Sequence, residues 1–106
     1  MSATLFPPPV QLAALFDQLV RQWRAETQFL SSTTQLATHP AYQRIIGLGP
    51  QVIPFILADL QLRPGHWSWA LKALSGEDPV PPEAQGRLAA TADAWLEWGR
   101  EAGWIA

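Results

Sequence analysis

Residues 42–80 (YQRIIGLGPQVIPFILADLQLRPGHWSWALKALSGEDPV) constrain this chain more than any other stretch. They read as an apolar helix, a Gly-Pro break, a second apolar helix, a turn, and a helix of the form W-x-W-A-L-x-A-L-x-G. Glycine just past a helix supplies the left-handed residue that ends it, and proline prevents continuation. A sequence cut into short apolar helices in this way buries its faces by stacking helix on helix. No strand pattern competes with the helical one.

The rest of the chain extends the same reading. Pro7, Pro8 and Pro9 stiffen the N-terminus, so residues 1–9 are expected to form an extended arm and residues 10–106 a single helical domain. Leu12, Leu15, Phe16, Leu19, Val20 and Trp23 follow the i, i+3, i+4, i+7 rule and predict a first helix from Pro9 or Val10 to Phe29 or Leu30. Ser31–Thr34 reads as the polar turn that stops it. Pro40 predicts a second helix capped by Thr38 or His39 and ended at Gly47-Leu48-Gly49-Pro50. Pro54 requires the third helix either to start there after a short 3₁₀ turn or to kink. His66 is expected to cap a fourth helix that begins at Trp67 and ends at Gly76. A fifth helix is expected from Pro82-Glu83 to about Ala102, with Leu88, Ala92, Trp95, Leu96 and Gly99 inward. The fold class is therefore all-α: a small closed bundle of about five helices.

Residues 49–76 resemble one unit of the HEAT-like helical repeats. Gly49-Pro50, Ile53-Pro54, Ile56-Leu57 and Leu60 match its first helix; Trp69-Ala70-Leu71, Ala73-Leu74 and Gly76 match its second. The resemblance implies a helix pair at the centre of the fold. A solenoid needs three or more such units, and the chain holds one. Residues 23–104 also resemble a family of small bacterial proteins of uncharacterised activity. His39-Pro40-Ala41-Tyr42, Gly47-Leu48-Gly49-Pro50, Pro79-Val80-Pro81-Pro82-Glu83-Ala84 and Trp95-Leu96-Glu97-Trp98-Gly99 carry that likeness. It implies no activity.

Composition narrows the function. The net charge of −2, with seven basic residues, gives no footprint for non-specific binding to nucleic acid. With no cysteine there is neither a disulfide nor a thiolate site, which fits a cytoplasmic protein. No apolar run reaches the roughly 20 residues that cross a bilayer, and the N-terminus lacks the basic and apolar regions of a signal peptide. His39 and His66 stand apart, whereas a zinc site needs three or four ligands in local pairs. No phosphate loop and no nucleophile motif is present. The expectation is a protein without catalytic residues, cofactor or metal.

What remains is contact with a partner. Six tryptophans are a heavy load for 106 residues. Trp23, Trp67 and Trp95 lie on apolar stripes and belong to the core. Trp69 and Trp98 fall off the stripes, and tryptophan is the residue most enriched at binding hot spots. Asp93, Glu97 and Glu101 recur at i, i+4 and i+8 as either a solvated face or a match for a basic partner. Pro79 and Pro81 hold the Asp78–Pro82 segment extended, as a rigid connector or a contact strip. The expected function is a non-enzymatic protein–protein interaction module, in the form of the small subunit of a two-protein system. The alternative is an accessory protein in nucleic-acid processing or a mobile element.

Overall fold

The computed structural model describes residues 9–106, and among these every regular element is helical. The expected arm thus lies outside the described residues, apart from Pro9, the first residue of α1. The helices are α1 (Pro9–Thr27), α2 (Thr33–Ala37), α3 (Pro40–Gly47), α4 (Ile53–Leu62), α5 (Ser68–Ser75) and α6 (Leu88–Glu101), with 3₁₀ turns at Pro50–Val52 and Pro82–Ala84. The chain divides into two compact units, one ending at Val52 and one beginning at Ile53.

In the first unit α1 packs on α3 and on the 3₁₀ turn at Pro50–Val52, and α2 packs on α3. The α1 stripe buries Leu12, Phe16, Leu19, Val20 and Trp23. The Trp23 ring lies against that of the fully buried Tyr42, with centroids 5.1 Å apart. A buried indole N–H needs an acceptor, and Trp23 Nε1 donates to the Leu36 carbonyl at 2.9 Å, which ties α1 to α2. α1 stops at Thr27, short of the expected end at Phe29 or Leu30. There the buried Thr27 hydroxyl donates back to the Trp23 carbonyl (2.6 Å) and Leu30 N–H closes a turn on the Thr27 carbonyl.

Ser31–Thr34 is not only a turn. Ser32 caps α2, its hydroxyl accepting from Gln35 N–H at 3.3 Å. Such a short helix lacks the repeats that reveal a stripe, and it forms because Leu36 and Ala37 are buried. His39 caps α3 as expected. Its Nδ1 accepts from Ala41 N–H (3.1 Å), so the proton of the neutral ring sits on Nε2, which donates to Glu26 at 2.9 Å.

In the second unit α4 packs chiefly on α6 and also on α5. The 3₁₀ turn at Pro50–Val52 precedes α4, so Pro54 falls at its second position, where no helical N–H is required of it. Ile53, Ile56, Leu57 and Leu60 are buried, with Ala70 and Leu71 of α5 and Ala92, Trp95 and Gly99 of α6. A Cβ on Gly99 would stand 2.6 Å from Leu57 Cδ1, so glycine permits the close approach of α4 and α6. The two buried indoles are again satisfied: Trp67 Nε1 donates to Asp59 Oδ2 and Trp95 Nε1 to Ser68 Oγ, both at 2.9 Å. Among the described residues no buried side-chain nitrogen or oxygen lacks a partner.

Two boundaries in the second unit also differ from expectation. Trp67, not His66, holds the N-cap position of α5, and no side chain caps that end. The expected fifth helix is split. Pro82–Ala84 is a 3₁₀ turn, Gly86 takes φ +79°, and α6 starts only at Leu88. Left-handed backbone cannot continue a right-handed helix. Glu83 therefore belongs to the turn, and Leu88, expected inward, is exposed at the helix start.

Candidate functional site

The second unit carries a groove of about 490 Å³, open to solvent, between the Pro79–Pro81 strip and α6. One wall is Pro79, Pro81 and Ala84; the other is Ala90, Asp93, Ala94, Glu97, Trp98 and Glu101.

The proline wall is fixed by the residue between the prolines. Val80 is buried, its N–H bonded to Asp78 Oδ1 and its carbonyl accepting from Gln85 Nε2, both at 3.3 Å. Lys72 Nζ lies 3.6 Å from the other Asp78 oxygen and tethers the strip to α5. Pro79 and Pro81 have no N–H, and both polar groups of the Val80 backbone are engaged. This wall therefore offers rigid apolar surface and no free backbone donor.

The helical wall consists of two parallel rows. Ala90, Ala94 and Trp98 recur at i, i+4 and i+8, as do Asp93, Glu97 and Glu101. Residues four apart lie one above the other on a helix, so a row of small residues ends in an indole and an acidic row runs beside it. The alanines leave the space; Trp98 closes one end. Trp98 is half-buried and meets the buried Trp95 edge to face at 5.2 Å, so the core fixes its position. The three carboxylates are exposed, and no ion pair joins any of them to another described residue.

Six of the seven residues singled out from sequence converge here: Trp98, Asp93, Glu97, Glu101, Pro79 and Pro81. Trp69 does not line the groove; it stands on α5, 42% exposed. Ala84, Ala90 and Ala94 were missed. Their signal is the four-residue spacing of small residues beside the acidic row, but alanine in a helix reads as propensity unless the opposing wall is known.

The carboxylates form a ladder, each rung about 6 Å along the axis from the next at 1.5 Å per residue. Among the described residues no three His, Cys, Asp or Glu side chains are grouped to hold a metal ion. No single helix among them is long and apolar enough to cross a membrane. What the groove can do chemically is desolvate an apolar side chain against proline and indole while its rim attracts cations. No family model, curated protein or solved structure matches the chain.

Proposed function

We propose that this chain is a non-enzymatic protein-binding module and that the groove between the Pro79–Pro81 strip and α6 is where its protein partner docks. The observation that carries this reading is the convergence of a rigid proline wall, a tryptophan held by the core and a row of carboxylates that pair with no described residue on one open groove. Rigid apolar surface loses little entropy on binding, and an apolar centre with a charged rim is the usual anatomy of a protein interface. The small subunit of a two-protein system is the form this takes. The second reading, an accessory role in nucleic-acid processing, finds no support at this groove, whose carboxylates repel a phosphate backbone.

The test is affinity capture from the cells that make the protein, with the wild type and Ala94→Leu as parallel baits. Leucine fills the groove and is a good helix former, so circular dichroism should show an unchanged fold. A partner retained by the wild type and lost by Ala94→Leu is the expected result. Equal capture by both baits overturns the assignment of the groove.

A further inference from the structure

The rim of the groove is built against the stability of its own helix. Asp93–Glu97 and Glu97–Glu101 are like-charge pairs at i, i+4, which destabilise a helix. Glu97 and Glu101 also stand in the C-terminal part of α6 (Leu88–Glu101), where the macrodipole disfavours negative charge. Arg100 in the last turn offsets part of the macrodipole effect, but no ion pair joins Asp93, Glu97 or Glu101 to another described residue. The second unit as a whole has seven acidic against four basic residues. A row of like charges that costs stability and makes no ion pair of its own is what a binding site looks like when its counter-charge arrives with the ligand.

Resting on the protein-docking reading above, we infer that the occupant is a basic amphipathic helix of a partner protein, with Arg or Lys at i, i+4 and i+8 facing Asp93, Glu97 and Glu101. Two features select this occupant. The first is charge and repeat: basic residues four apart on a helix rise by about 6 Å, the same as the carboxylate ladder, so three rungs stay in step. The second is the backbone of the opposite wall. Pro79 and Pro81 lack an N–H, and the Val80 N–H and carbonyl are already bonded. An extended segment therefore finds no strand edge to pair with, while a helix satisfies its own backbone and needs only side-chain contacts. A guanidinium at the Trp98 end also meets an indole, and arginine on tryptophan is the favoured cation–π pair.

The probe is a capped synthetic helix of about 18 residues, long enough to hold helical structure, with arginines at i, i+4 and i+8 on an Ala/Gln background. Its control is an isomer of the same composition with the arginines at i, i+5 and i+10, which spreads them around the helix so that no two face the ladder together. Binding is read from ¹⁵N–¹H spectra, using the Trp98 indole and the α6 amides. One exposed ion pair contributes little, so the expectation summed over three rungs is about tenfold tighter binding of the i, i+4, i+8 peptide. That binding should weaken as salt rises from about 50 to 300 mM, because exposed charges are screened. Glu97→Lys, which replaces one attraction by a repulsion of similar size, should lower it about fivefold, and a peptide with glutamate at its central arginine should restore it to the variant. Equal binding of the two isomers, no binding of either, or shifts confined to residues outside the groove overturns the inference. The docking reading is separable: a natural partner lost by Ala94→Leu but kept by Glu97→Lys leaves docking in place and removes the basic helix. A partner indifferent to both removes both.

Discussion

Ser68→Ala makes the sharpest demand on the fold. Trp95 has no exposed surface, and its indole N–H has one acceptor, Ser68 Oγ at 2.9 Å. Removing the hydroxyl costs little by itself, because Ser68 is the first residue of α5 and alanine is tolerated in a helix. The loss is on the other side, where a buried donor is left without water or partner, a cost of about 1–3 kcal/mol. The same substitution in a Trp95→Phe background strands nothing and should cost under about 0.5 kcal/mol, like an ordinary surface change. The double-mutant cycle should therefore show a coupling of about 1 kcal/mol or more. Urea denaturation of the four proteins, followed by far-UV circular dichroism, measures it. The midpoint temperature of Ser68→Ala should fall by about 4–8 °C for each kcal/mol lost. Equal costs for Ser68→Ala in the two backgrounds would show that the hydroxyl does not serve Trp95. Trp95→Ala is the outer limit, at about 3–5 kcal/mol for a truncated core aromatic.

Gly99→Ala should cost about 1–3 kcal/mol, because its Cβ would meet Leu57 Cδ1 at 2.6 Å inside a closed core; a penalty that Leu57→Val does not reduce would show the clash is not the cause. Val80→Ser should destabilise by about 1.5–3 kcal/mol through lost apolar burial and shift the Trp98 indole resonance as the proline wall loosens; an unmoved indole would mean the wall does not depend on Val80. The neutral His39 ring should carry its proton on Nε2, since Nδ1 accepts from Ala41 N–H; ¹⁵N shifts of the Nδ1–H tautomer would refute that cap geometry. His39→Ala should then cost about 0.5–2 kcal/mol, as loss of an N-cap does.

The parts of this fold that were legible in sequence are those decided within a few residues. Pro9 opens α1, the His39-Pro40 pair opens α3, Gly76 and Gly103 take positive φ where α5 and α6 end, and Pro54 follows a 3₁₀ turn. Each depends on the backbone of one residue or its nearest neighbours, so local rules reach it. The same holds for the buried tryptophans, because Trp23, Trp67 and Trp95 sit on stripes of period 3.6. Tertiary structure decided the rest. α2 has too few residues to show a period and exists because Leu36 and Ala37 are buried; the break at Gly86 won over an apparently continuous helical pattern because the chain turns there. The acceptors of the three buried indoles, Leu36 O, Asp59 and Ser68, lie 13, 8 and 27 residues away, on partners that only packing selects. The groove belongs to the same class. Its acids and prolines stand out in the sequence as two unrelated features, 12 or more residues apart. They become one site only because the buried Val80 pins the strip and the close packing of α4 on α6 turns Ala90, Ala94 and Trp98 toward it.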